Sequence, residues 1–66
     1  MKHKICYMND YSGACHKYMI EGEKDNVYLV RRVTHSIRFD GSPCVCLGAQ
    51  VPLSKERVYD IGEEEV

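Results

Sequence analysis

The stretch Val27-Tyr28-Leu29-Val30-Arg31-Arg32-Val33-Thr34-His35-Ser36-Ile37-Arg38-Phe39 decides the fold class. It is rich in β-branched and aromatic residues, which suit a pleated, half-buried surface. Its odd positions Val27, Leu29, Val33, Ile37 and Phe39 form an alternating apolar set, the signature of a strand with one face buried. Arg31 interrupts that set, and Tyr28 and Val30 are apolar on the other phase. A bulge at Arg31-Arg32 would reconcile the two phases and bend the strand.

Turn signals flank this strand on both sides. Upstream lie Asn9-Asp10-Tyr11-Ser12-Gly13 and Gly22-Glu23-Lys24-Asp25-Asn26; downstream lie Asp40-Gly41-Ser42-Pro43 and a weaker signal from Gly48 to Pro52. Glycine and asparagine reach positive φ at little cost, proline presets φ, and aspartate and serine bond their own backbone. Between the turns, Lys4 to Met8, His16 to Glu21 and Cys44 to Gln50 read as further strands. The last of these pairs with Thr34 to Phe39 across the Asp-Gly turn. Leu53 to Arg57 reads as a single helical turn with Ser54 as its N-cap, leading into a short closing strand from Val58 to Ile61. The expectation is therefore a mainly β fold, a small five-stranded barrel with one short helical turn before the last strand. It forms a single domain over residues 1–62, with an acidic C-terminal tail at 63–66.

Sixty-six residues make one domain with a marginal core. The net charge of −1 gives no bulk electrostatic attraction to nucleic acid or to a membrane surface. No apolar stretch is long enough to cross a bilayer, and Ile5-Cys6-Tyr7-Met8 is too short for the apolar part of a signal peptide. A cytoplasmic location follows by default, and there Cys6, Cys15, Cys44 and Cys46 would be reduced thiols or metal ligands rather than disulfides.

The order of elements resembles a loose group of small bacterial and prophage-encoded proteins with an SH3-like β-barrel. Ile5-Cys6 and then Asp10 open the chain, and Val27 to Val33 follows the first long loop. Cys46-Leu47 comes after a Gly-Ser-Pro turn, and Pro52-Leu53 leads into Glu56-Arg57-Val58. Asp25 and Val58 depart from the glycine and phenylalanine of that pattern. The resemblance implies the SH3-like barrel and a mobile-element accessory role; it brings no catalytic residues with it.

Three constellations bear on function. The first is the cysteines. Cys44 and Cys46 project from the same strand face, and Cys6 and Cys15 lie on strands that a hairpin would join. Four thiolates, or three with His16, would make a structural zinc site. Cys-Val-Cys inside a strand does not have the spacing of a zinc knuckle, so the expectation is no cofactor and four small buried hydrophobes, with zinc as the alternative. The second is a binding surface made of Arg31, Arg32, His35 and Arg38 along the long strand, with Tyr11 exposed in the first turn. Cations and rings on an open barrel face also suit single-stranded nucleic acid, but the net charge and the terminal glutamates count against it. The third is catalysis. Cys15 and His16 are adjacent, so on a strand they point to opposite faces and cannot act as nucleophile and base.

The reading is a non-enzymatic interaction module for a protein partner. The alternative is a small zinc-stabilised nucleic-acid-binding protein. Pairing between edge strands of two copies, giving a homodimer, is a third outcome.

Overall fold

The computed structural model describes residues 2–65. Five strands follow one another: β1 (Lys2–Asn9), β2 (Cys15–Lys24), β3 (Val27–Ile37), β4 (Pro43–Ser54) and β5 (Tyr59–Glu65). All neighbouring pairs are antiparallel, and the order across the sheet is β4-β3-β2-β1-β5. The sheet is not closed: β4 and β5 remain its edges. The expected strands are present, four of them longer than their sequence signals and β3 ending at Ile37 instead of Phe39, but the barrel closure is not.

Local chemistry explains the turns. In the β1–β2 loop the Asp10 carboxylate accepts from the Ser12 amide (2.9 Å), the Ser12 hydroxyl (2.6 Å) and the Ala14 amide (3.0 Å), and Gly13 takes φ +87°. Asp40 repeats this arrangement with Ser42, ahead of a tight turn in which Gly41 sits at φ +86°. Only glycine adopts such angles without strain. The β2–β3 connection is just Asp25-Asn26, with Asp25 left-handed at φ +54°. The Gly22-Glu23-Lys24 part of that turn signal therefore lies inside β2.

Three register shifts bend the sheet. Glu21 is the extra residue in β2, Gly48-Ala49 stand together opposite Arg32 in β4, and β5 carries an extra residue between Tyr59 and Gly62, where Asp60 has φ +51°. The irregularity anticipated at Arg31-Arg32 falls at that level, but the inserted residue is in β4. The glycine at 48 thus marks a bulge within a strand and not a turn, which is one of the two common meanings of a strand glycine.

The connection from β4 to β5 dictates the curl. Four residues, Lys55 to Val58, join strands on opposite edges of the sheet. Flat, those edges would lie about 19 Å apart, and a four-residue link reaches at most about 18 Å when fully extended. This link is not extended, because the Arg57 amide donates to the Ser54 carbonyl at 3.1 Å. The sheet must fold over one of its faces to let the chain cross. The packing shows the result: Leu53 and Val58 sit on the cluster of Cys6, Tyr18, Tyr28 and Val30. The expected helical turn is absent. The Glu56 amide does bond the Ser54 hydroxyl at 3.3 Å, as an N-cap would. But Val58 is drawn into the core and β5 begins at Tyr59, which leaves too few residues to nucleate a helix.

Both faces of the sheet hold buried residues. Ile5, Met19 and Val33, flanked by Tyr7, form a second cluster on the face opposite Cys6 and Val30. This resolves the two phases of β3: Tyr28 and Val30 serve the first cluster, Val33 the second. Ile37 and Phe39, read as core, are exposed. The acidic tail is also not a tail over its described length. Glu63 pairs with Lys4, Glu64 with His3 and Glu65 with Lys2 as the end of β5.

Candidate docking surface

The pairing of β2 with β3 ends at Lys17 and Val33, whereas the pairing of β3 with β4 continues outward through Thr34, His35, Ser36 and Ile37. From Thr34 on, this hairpin has no third strand beside it. It stands out as a two-stranded arm from a molecule that measures 42 × 31 × 20 Å. Every residue from Thr34 to Gly41 is exposed.

The arm is two-sided. Strand alternation and the register put His35, Ile37, Pro43, Val45 and Leu47 on one face, and Thr34, Ser36, Cys44 and Cys46 on the other. Eight large hydrophobic side chains are exposed among the described residues, and five of them belong to β3, β4 or the turn between: Ile37, Phe39, Val45, Leu47 and Val51. Phe39, at the tip, is fully exposed, and Ile37 is 74% exposed. Ile37, Arg38, Phe39 and Asp40 line a shallow concavity at the end of the arm. Single exposed apolar residues are ordinary, but a contiguous set on one projecting element marks a contact surface.

The residues expected to bind do not form one group. Arg31 is on the face of Ile37, and Arg32 is on the opposite face. Arg31 is also occupied, since its Nε donates to Glu21 at 2.6 Å and its terminal nitrogen to the Gly48 carbonyl at 3.0 Å. Gln50 donates to the same Glu21 oxygen at 3.0 Å, and these bonds, Gln50 first and Arg31 second, hold the Glu21 carboxyl below its usual range. That network pins the bulges of β2 and β4 to each other. His35 and Arg38 ride on the arm, and Tyr11 is fully exposed in the β1–β2 loop, at the same end of the sheet. Tyr18 and Tyr28 are buried and so are not free to stack on a base. Lys4 and Lys55 both lie over the Tyr28 ring, at 5.5 and 5.2 Å from its centre, and Lys55 is paired with Glu23.

The chain matches no family model, and neither the curated proteins nor the solved structures contain a significant match to it. The functional reading therefore rests on surface chemistry.

The four cysteines are dispersed. Cys6 is buried under Val58, and Cys15 is exposed on the opposite face, within 3.1 Å of the Tyr59 hydroxyl, which donates to Asn9. Cys44 and Cys46 lie on the arm. Among the described residues no three histidine, cysteine or acidic side chains are grouped to hold a metal ion. Of the four, only Cys6 occupies the core position expected of them; Cys15 and Cys46 are exposed and Cys44 is half-buried. Burial pushes the Cys6 thiol up in pKa, and a thiol reacts as its thiolate. Native protein treated with iodoacetamide at pH 8 is therefore expected to be alkylated at Cys15 and Cys46 on the order of tenfold faster than at Cys6. Peptide mapping reads the rates, and equal labelling of Cys6 would mean that β1 is not held in place as described.

The signal for the arm was present in the sequence. The runs on either side of Asp40-Gly41 are longer than those of the other strands, so their outer ends cannot find a third partner. Alternation alone does not reveal this, because an apolar stripe looks the same on a core strand and on a projecting one.

Among the described residues no helix is long and apolar enough to cross a membrane.

Proposed function

We propose that this chain is a small non-enzymatic module, SH3-like in architecture, that binds a protein partner through the arm formed by β3 and β4. The observation that carries the reading is the run of exposed apolar side chains, Ile37, Phe39, Val45 and Leu47, at the end of a hairpin that places nothing in either core cluster past Val33 on β3. Solvated arms gain nothing from such residues, whereas apolar and aromatic anchors dominate protein contacts. The meander of the first four strands, with a very short link that carries β5 across to the β1 edge, supports the SH3-like assignment. A cytoplasmic accessory role for a phage or prophage, acting on a host process, belongs to the same reading and rests on the sequence resemblance alone.

The nucleic-acid alternative draws less support. Arg31, Lys17 and Lys55 are each paired with a glutamate, so they are not free cations for phosphates.

The test compares proteins recovered from source-cell extract by the wild-type chain and by the double variant Ile37→Asp, Phe39→Asp. Both substituted positions are exposed, so the fold should survive. Removing two anchors is expected to reduce recovery of a specific partner on the order of tenfold or more. Equal recovery by both proteins would sink the proposal.

A further inference from the structure

We propose that the β4 edge binds a second copy of this chain, arm to arm, across a two-fold axis perpendicular to the sheet. The proposal rests on the reading of the arm as a docking surface and names its occupant.

The two free edges of the sheet differ in charge. The strand β5 carries Asp60, Glu63, Glu64 and Glu65 among its seven residues, and copies of it repel one another. The twelve residues of β4 carry no charge at all. Natural edges are blunted by charged side chains, prolines and bulges. Here the bulge at Gly48-Ala49 blocks the inner part of β4, and the Gly48 carbonyl is taken by Arg31. Pro43 lacks a donor and ends the outer part. Between them lies Cys44-Val45-Cys46-Leu47, with Val45 and Leu47 41% and 46% exposed. This segment is the unprotected part of the edge. The net charge of −1 opposes self-association very little.

Geometry selects one register. A two-fold axis perpendicular to the sheet keeps each face on its own side, so residues opposite one another must share a face. Centring the axis on Val45 places Val45 opposite its own copy, Cys44 opposite Cys46, and Pro43 opposite Leu47. The exposed apolar residues Val45 and Leu47, otherwise unexplained, meet in one contact. An interface of this kind is isologous and closes at two subunits. Its area falls in the small class, below about 1,200 Å² in total, so the dimer is weak and concentration-dependent.

Sedimentation velocity of the full reduced chain between about 10 μM and 1 mM, a range suited to weak contacts, is expected to show monomer shifting to dimer. Val45→Lys is expected to raise the dissociation constant at least tenfold with an unchanged circular dichroism spectrum, and Leu47→Lys to weaken the dimer independently. Ile61→Lys, on the β5 edge, should leave it intact. Wild-type dimer treated with diamide should yield a Cys44–Cys46 crosslink between copies. A monomer throughout the range, or a dimer broken by Ile61→Lys and not by Val45→Lys, would overturn the inference. If the chain is monomeric while the arm variant still loses a specific partner from extract, the second copy is wrong and the docking reading stands; if both fail, the arm is not a contact surface.

Discussion

Val30→Asp is expected to leave the protein unfolded at pH 7. The Val30 side chain is fully buried at the centre of β3, against Cys6, Tyr18 and Tyr28. No polar or charged residue is buried among the described residues, so nothing nearby would compensate a carboxylate. An acid in such a setting shifts its pKa upward by several units. Each unit is about 1.4 kcal/mol of preference for the neutral form, so ionisation costs roughly 4 kcal/mol or more at pH 7. A chain of this length has about 3–10 kcal/mol of stability in total. The sign of the pH dependence follows. The folded-state pKa is raised, so the ionisation penalty is absent below the unfolded-state value and grows as pH rises above it. Circular dichroism of the variant should show a disordered spectrum at neutral pH and partial recovery of β-structure near pH 4. A cooperative melt at pH 7 like that of the wild type would show that the Val30 cluster is not the core.

Deleting residues 59–66 is expected to abolish cooperative folding, whereas deleting only 63–66 is expected to weaken it. The distinction separates a strand from a tail. The longer deletion strips β1 of its outer partner along Lys2, His3, Lys4, Ile5 and Tyr7. Ile5, fully buried in the intact chain, loses Gly62 from its side, and burial of one such side chain contributes about 1.5–3 kcal/mol. The stacked Tyr7–Tyr59 pair, with centroids 6.3 Å apart, is lost with the bond from Tyr59 to Asn9. Such a ring pair adds about 0.5–1.5 kcal/mol beyond its buried area. The shorter deletion keeps Gly62 beside Ile5 and the Tyr59 contacts; it removes the pairing of Glu63, Glu64 and Glu65 with Lys4, His3 and Lys2 and the Glu64 bonds to Tyr7 and Lys17 at the surface, where ion pairs contribute about 0–1 kcal/mol. Guanidinium unfolding measures both variants, and hydrogen exchange of β1 amides locates the loss. If the two deletions shift the midpoint equally little, β5 is dispensable and the paired edge is not part of the folded unit.

The contrast between β3 and β5 shows where the sequence was readable. The strand β3 was legible because β-branched residues and flanking turns state their preference locally. The conflict of phases at Arg31-Arg32 was legible as well, but its cause was not: both faces of β3 are buried, and the register shift opposite Arg32 comes from Gly48-Ala49 in a strand far along the chain. The β5 glutamates read as a solvated run because nothing local distinguishes them from one. They form a strand because β1 lies beside them, with Lys4, His3 and Lys2 opposite Glu63, Glu64 and Glu65. Ser54 shows the opposite failure: its capping bond forms, yet the pull of Val58 into the core leaves no room for a helix.

The candidate site divides in the same way. His35 and Arg38 were named as binding residues and do lie on the arm. Ile37 and Phe39 continue the apolar alternation of the stretch that begins at Val27, yet both lie outside the core. Turn chemistry and β propensity act within a few residues, and they were enough to mark five strands and an Asp-Gly hairpin, but not to place β5 beside β1. Whether an apolar residue is buried depends on what lies beside its strand, and that is set by the lengths of other strands and by the short β4–β5 link that curls the sheet. Only the folded chain decides that Val30 faces a core while Ile37, on the same strand, faces solvent.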